Sequence, residues 1–379
     1  MKPLSALALT LTLALAASGA EPATPGAPAQ PAQPAQAPRT ARMRPAPAVR
    51  SGLTLPQIPL HDPYVLAHTQ SRTYYLYTSA NLSTGVGRTG TFAYKSKDLA
   101  TWEGPFIVFV APEESWALPQ EGAWAPEVHE FKGKYYLFTT LHNSSKPLPS
   151  HTSRPLSMRA TIIAVSDSPD GPFTMTRTDS PVTPPDFMTL DGTLYVDKAG
   201  KPWLVYAHEW TQKNDGTFEA IPLADDLNSA TGAPIFLWKG SDAPWLAEQA
   251  VPSAKPTVYV TDGAEFYRTK TGQLLSLWSS YEKNSFNRDG YVETLARSKS
   301  GELKGPWEQL PPLVHNDSGH GMLFRTFEGQ LMMIVHQPFN NARGKIYEME
   351  DVGDNLRVSK YREDLSGPPL PPQQGQLPQ

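Results

Sequence analysis

The sequence predicts an all-β protein, and within that class a five-bladed β-propeller. Two observations carry the prediction. A polar turn followed by an apolar strand recurs five times along the chain, and no stretch between Gly52 and Asp364 shows a strong helical period. Five equivalent sheets around one axis make a propeller, whereas a β-sandwich has many strands but no five-fold equivalence.

The chain opens with Lys2 and an apolar run from Leu4 to Ala17, followed by the small residues Ser18-Gly19-Ala20. This pattern predicts a secretory signal over residues 1–20 and an exported protein, secreted or periplasmic. The run is short for a membrane span, so no membrane attachment is expected once the signal is removed; an uncleaved anchor is the alternative. Residues 21–50 are rich in Ala, Pro and Gln, as in the repeated Pro-Ala-Gln from Pro28 to Gln36, and read as an extended linker. The propeller domain is expected over 51–364, with a disordered tail of the same composition over 365–379. There is no Cys in the 379 residues, which excludes disulfides, cysteine-based metal sites and a lipid anchor on cysteine. With a formal net charge of −4, no basic excess points to nucleic acid, and none is expected as a partner. The sequence does not determine the oligomeric state.

The first blade begins with the turn Ser71-Arg72 before Thr73-Tyr74-Tyr75-Leu76-Tyr77. Gly133-Lys134 precedes Tyr135-Tyr136-Leu137-Phe138 in the second, and Gly200-Lys201 precedes Pro202-Trp203-Leu204-Val205-Tyr206 in the third. Gly272-Gln273 precedes Leu274-Leu275-Ser276-Leu277-Trp278 in the fourth, and Gly329-Gln330 precedes Leu331-Met332-Met333-Ile334-Val335 in the fifth. β-branched and aromatic residues bounded by glycine turns are the strand-and-hairpin signature. A second alternating strand follows each of these, as in Ala93-Tyr94-Lys95-Ser96 and Ile163-Ala164-Val165-Ser166, and is weakest around Ile346-Tyr347.

The strand before each turn is expected to be the innermost of its blade, so residues at its start converge on one mouth of the central channel. Counting back nine or ten residues from each turn reaches Asp62, the neighbourhood of Trp124, Asp191, Asp262 and His320. A single Asp at a strand start is ordinarily a turn residue. Three in register around one axis suggest a site, because clustered carboxylates push each other's pKa values apart. One stays ionised and another protonated, the pairing that glycoside hydrolysis needs. His61, beside Asp62, and Trp124 are candidate substrate contacts. His208, in His208-Glu209-Trp210, is either another such contact or half of a buried polar pair. His129 and His336 read as structural. No phosphate loop, His-Glu-x-x-His zinc motif or Gly-x-Ser-x-Gly elbow is present.

The ordered series His61-Asp62-Pro63, Trp124-Ala125-Pro126-Glu127, Asp191-Gly192 before a strand ending in Val205-Tyr206, and Gly319-His320-Gly321 resembles glycoside hydrolase family 43 over about residues 54–360. The resemblance implies an inverting glycosidase of the α-L-arabinofuranosidase or β-xylosidase type, exo-acting or debranching, with a carbohydrate substrate. It implies Asp62 as general base and Asp191 as the residue that orients the acid and tunes its pKa. No cofactor is implied for the chemistry; a structural calcium ion in the central channel near His320 is. The family's acid commonly stands in Glu-Gly-Pro, whereas this chain has Asp262-Gly263-Ala264 and then Glu265. Register favours Asp262 as the acid, side-chain alternation places Glu265 on the opposite face, and Glu265 stays the alternative acid. Two other readings accompany this one: a non-catalytic carbohydrate-binding propeller that has lost its acid, and a retaining fructan-active propeller hydrolase. Substrate choice would rest on loops such as Asn143 to Arg159 and Ser241 to Lys255.

Overall fold

The computed structural model describes residues 45–149, 155–246, 258–282 and 290–371. The predicted signal, most of the linker and the end of the tail lie outside the described residues, as do parts of both loops expected to govern substrate choice. Among the described residues no helix is long and apolar enough to cross a membrane.

Five antiparallel sheets follow one another along the chain. The first comprises β1 (Arg50–Leu53), β2 (Tyr64–His68), β3 (Thr73–Asn81), β4 (Gly90–Ser96) and β5 (Trp102–Val110). The second holds β6 (Ala123–Phe131), β7 (Lys134–Leu148), β8 (Leu156–Ser166) and β9 (Thr174–Met175). The third holds β10 (Thr189–Val196), β11 (Pro202–His208), β12 (Thr217–Pro222) and β13 (Ile235–Lys239), with a single-turn helix α1 (Trp210–Lys213) after β11. The fourth is β14 (Asp262–Arg268), β15 (Leu274–Tyr281), β16 (Tyr291–Ser298) and β17 (Trp307–Gln309). The fifth is β18 (Gly319–Arg325), β19 (Leu331–Gln337), β20 (Arg343–Asp351) and β21 (Leu356–Tyr361), followed by α2 (Glu363–Ser366). Neighbouring strands pair in sequence order, apart from β1, which adds to the outer edge of the first sheet beside β5. The inner strands β2, β6, β10, β14 and β18 touch their neighbours in turn and close a ring. This is the predicted five-bladed propeller.

The repeated turns join inner to second strands. Gly133, Gly200, Gly272 and Gly329 have φ of +78°, +79°, +87° and +90°, with nothing near where a Cβ would stand. Glycine is needed there for its backbone freedom rather than for room. The core lies between blades. Phe138 and Ile163 of the second meet Leu204 and Tyr206 of the third, and Leu277 and Leu295 of the fourth meet Met333 and Val335 of the fifth.

The ring closes without strand exchange between first and last blades. The segment Leu55–Leu60 instead packs on β20: the Leu60 amide donates to Ala342 O (3.1 Å) and Arg343 Nε donates to Pro56 O (2.9 Å). Gly344 leaves room for this, since a Cβ there would stand 2.7 Å from Leu60 Cδ2. The expected tail boundary needs correction. Leu365 and Ser366 are buried, the Ile346 amide donates to Ser366 Oγ (2.8 Å), and Lys345 Nζ donates to the carbonyls of Ser366 and Pro368. Backbone groups satisfied in this way keep the chain packed a few residues past 364.

Leu55 is fully buried in this closure. Leu55→Ala is expected to cost about 2–5 kcal/mol of stability, read as a lower urea midpoint at unchanged slope; an unchanged midpoint would show that this segment does not hold the ring.

Candidate active site

The inner strands share a backbone device where they enter the channel. Asp62, Ala125, Asp191, Gly263 and His320 all lie in the left-handed region, with φ of +48°, +45°, +52°, +54° and +49°. In blades two to five, this residue and the next oppose a single residue of the second strand, forming a bulge. Left-handed backbone is disfavoured for side chains other than glycine, Asn and Asp, and bulges re-aim side chains. Asp62, Asp191 and His320 thereby line one cavity of about 870 Å³ at the channel mouth.

The backbone corrects the sequence register by one residue in two blades. Ala125 and Gly263, not Trp124 and Asp262, are equivalent to Asp62, Asp191 and His320. A count of nine or ten residues from the turn covers both choices, and only the backbone conformation separates them. Trp124 and Asp262 nevertheless line the same cavity.

His320 sits among the carboxylates. Its Nδ1 lies 3.3 Å from Asp62 Oδ1 and 3.9 Å from Asp191 Oδ2. Burial works against the imidazolium, but Asp62, Asp191 and Asp262 raise the ring's pKa to about 9. Burial also pushes Asp62 upward, yet His61, His320 and a hydrogen bond with His336 outweigh it and hold that carboxyl well below the usual range. Asp191 and Asp262 go the other way. Burial raises both; the nearby Asp62 adds to the rise of each and Asp191 to that of Asp262, while His320 opposes both. Two hydrogen bonds fix the raised pair. The Gly263 amide donates to Asp191 Oδ2 (3.0 Å), and the Tyr291 hydroxyl donates to Asp262 Oδ2 (3.1 Å).

Glycines on either side of His320 make room for its supports. A Cβ on Gly319 would stand 2.4 Å from the Tyr291 ring and 2.8 Å from Ser279 Oγ, and one on Gly321 would stand 2.9 Å from the Glu293 carboxyl. Ser279 Oγ accepts from the His320 amide (2.7 Å) and donates to Glu293 Oε2 (2.7 Å), which also accepts from the Gly321 amide (2.6 Å).

Glu265 does not line the cavity. Its carboxylate accepts from the Leu323 amide and faces Glu127 and Glu293; burial, and after it these two like charges, raise its pKa well above the ordinary value. The alternation argument fails across the bulge: Asp262 and Glu265 oppose Ser279 and Leu277, partners two residues apart. Depth along the strand, not the face of the sheet, removes Glu265 from the cavity. His208 is also outside it. Its ring nitrogens lie 3.1 Å from Glu219 Oε1 and 2.8 Å from Gln212 Oε1, and Phe187 stacks on the ring. It is half of a buried polar pair with Glu219, while Glu209 and Trp210 of the same tripeptide line the cavity. His61 lines the cavity with both nitrogens engaged, Nδ1 at 2.8 Å from Asp62 Oδ1 and Nε2 at 3.0 Å from Phe339 O.

Three lining or supporting residues escaped the sequence reading. Arg159 places its guanidinium over the Trp124 ring at 4.6 Å, pairs with buried Glu209 and donates from Nε to His142 (3.0 Å). Its signal was a lone cation inside the alternating strand Met158-Arg159-Ala160-Thr161-Ile162. Tyr291 gave no signal beyond the small residues of Gly319-His320-Gly321, which vacate space for something bulky. His336, read as structural, brings Nδ1 within 3.3 Å of both the backbone nitrogen and Oδ1 of Asp62.

Among the described residues, the carboxylate oxygens nearest to His320 Nδ1 are those of Asp62 and Asp191. Calcium takes six to eight oxygen ligands. The one group of three close donors among the described residues is His61, Asp62 and His336, which omits His320 and supplies more nitrogen than oxygen.

The model for glycosyl hydrolases family 43 matches residues 56–355. The fold is similar to the crystal structure of an endo-arabinase from Bacteroides thetaiotaomicron VPI-5482, at 37% sequence identity and a TM-score of 0.69, covering 79% of this chain and 98% of that one. An exo-1,5-α-L-arabinanase from a bovine ruminal metagenomic library shares the fold at 18% identity and a TM-score of 0.55, covering 80% of this chain and 97% of that one. Among curated proteins, extracellular endo-α-(1→5)-L-arabinanase 1 of Bacillus subtilis (strain 168) is 26% identical over 196 residues, 48% of this chain. That match spans 56% of the relative's length. The motif series, the propeller and the family match agree: the chain belongs to glycosyl hydrolase family 43 and is a glycosidase that hydrolyses O-glycosyl bonds.

Proposed function

We propose that the protein cleaves α-1,5-linked L-arabinofuranosyl bonds within arabinan chains, with inversion of anomeric configuration. The observation that carries the chemistry is the set of three carboxylates lining one channel mouth, Asp191 buried and Asp62 and Asp262 partly exposed, with Asp62 driven toward the ionised form and Asp262 toward the protonated form. Asp62 takes a proton from water as the water oxygen attacks the anomeric carbon. Asp262 gives its proton to the departing glycosidic oxygen as the bond breaks. Solvent then removes the proton from Asp62 and reprotonates Asp262. Asp191 accepts from the Gly263 amide, which anchors the strand start that carries Asp262, and its charge favours the protonated acid.

Arabinan as substrate rests on the 37% identity to an endo-arabinase. An endo mode replaces the exo-acting or debranching expectation on the same ground. The cavity of about 870 Å³ has room for more than one pentose unit. The Trp124 ring and the guanidinium of Arg159 form one wall of it. Export, predicted from residues 1–20, draws support from the extracellular Bacillus subtilis relative.

On linear arabinan the expected products are a spread of oligosaccharides with an early fall in viscosity, and proton NMR of the first turnover shows the inverted anomer. Release of a single small sugar throughout would refute the endo mode. Asp62→Asn and Asp262→Asn are each expected to lower kcat by about 10²–10⁴-fold, the usual worth of a general acid or base. Glu265→Gln should stay within about threefold of wild type on the same scale; loss with Glu265→Gln and not with Asp262→Asn would reassign the acid.

The pH profile follows from the signs. Asp62 must be ionised, and its lowered pKa keeps it so until the pH falls below the usual carboxylate range. Asp262 must be protonated, and its raised pKa keeps it so above that range. The rate is therefore expected to be a bell, with its acidic limb below and its alkaline limb above the ordinary carboxyl pKa. An alkaline limb at or below that value would contradict Asp262 as acid.

A further inference from the structure

Tyr291 stands between the two halves of the proposed catalytic pair. It opens β16, is 1% exposed, and its hydroxyl donates to Asp262 Oδ2 at 3.1 Å. Its ring lies parallel to that of His336, with centroids 5.5 Å apart and planes 4° from each other. His336 in turn brings Nδ1 to 3.3 Å from Asp62 Oδ1. Phe339 packs edge-on against the Tyr291 ring at 5.1 Å. Gly319 must lack a side chain for the ring to lie there, because a Cβ would approach it to 2.4 Å. The ring is thus fixed on several sides, and the hydroxyl has a defined aim.

That aim matters because the carboxyl it holds belongs to an aspartate. An Asp side chain is one methylene shorter than Glu and has fewer rotamers with which to find the leaving oxygen. With Oδ2 accepting the tyrosine proton, Oδ1 is the oxygen left to carry the transferable proton. When that proton passes to the departing glycosidic oxygen, the new carboxylate keeps a hydrogen-bond donor already in place. A donor set beforehand where charge develops is more effective than one that must reorganise.

We propose that Tyr291 is a positioning residue that presents the proton-bearing oxygen of Asp262 to the leaving group and ties the acid to the histidine that supports the base. The inference deepens the proposed function and rests on Asp262 being the acid.

Tyr291→Phe keeps the ring on His336 and removes only the hydroxyl. On linear arabinan it is expected to lower kcat roughly ten- to hundredfold, the worth of one hydrogen bond to a charged group, with KM changed less than about twofold. On a 4-nitrophenyl arabino-oligosaccharide, whose leaving phenolate needs little protonation, the loss should be less than about threefold. In an Asp262→Asn background the same substitution should cause no further loss on arabinan. Equal losses on both substrates, or a multiplicative loss in the Asp262→Asn background, would mean a general structural role and overturn the proposal. Wild-type kcat for Tyr291→Phe beside an impaired Asp262→Asn would overturn the role of Tyr291 alone. Wild-type activity of Asp262→Asn on arabinan would overturn the acid assignment, and this proposal with it.

Discussion

Among three carboxylates gathered at one channel mouth, one stays ionised because positive charge lies beside it, and His320 stands at the centre of that charge. Bringing carboxylates together out of water is costly for each ionised group. The imidazolium spends its attraction unequally. It stands nearest Asp62, whose two other histidine neighbours add to the effect, and farther from Asp191. One carboxyl is therefore held ionised while two are held back from ionising. The same placement dictates the rest of the site: Ser279 fixes the His320 amide, and Glu293 fixes both Ser279 and Gly321.

The propeller makes this arrangement possible because five inner strands approach one axis with the same backbone geometry. Each contributes a left-handed residue and, in four blades, a bulge. The conformational strain is distributed over the ring at the level where side chains must converge, a common feature of functional sites. Where the left-handed residue is Ala125 or Gly263, the blade offers its polar or aromatic group from the preceding position. Asp262 therefore reaches the acid position from a different point of the backbone than Asp62 reaches the base.

Much of this was legible in the sequence. Four of the five turns carry a glycine that the backbone requires, and apolar strands follow all five, so blade count and inner strands could be read directly. Asp62, Asp191 and His320 stand out as polar residues where apolar strands begin. Bulges are invisible to counting, which is why Trp124 and Asp262 were placed one residue out of register and Glu265 was assigned to the wrong face. Arg159, Tyr291 and His336 lie on second or third strands, and their importance comes from contacts across blades. His336 follows Ile334-Val335 and reads as part of an ordinary core strand; nothing local reveals that Asp62 lies against it. The end of the domain was misplaced because the burial of Leu365 and Ser366 depends on β20 rather than on their own composition.

The ring is sealed by an apolar segment near its beginning against a strand near its end, and this sets the order in which the protein can come to exist. Leu55–Leu60 leave the ribosome early, but their partners Ala342 and Arg343 are made only after four blades are complete. Contacts so distant in sequence form late, because the intervening chain must first be ordered. The cavity draws Asp62 from the first blade, Asp191 from the third, Asp262 from the fourth and His320 from the fifth, so no partial chain contains it. Hydrolytic competence is thus all-or-none with respect to synthesis, appearing only when the circle is complete.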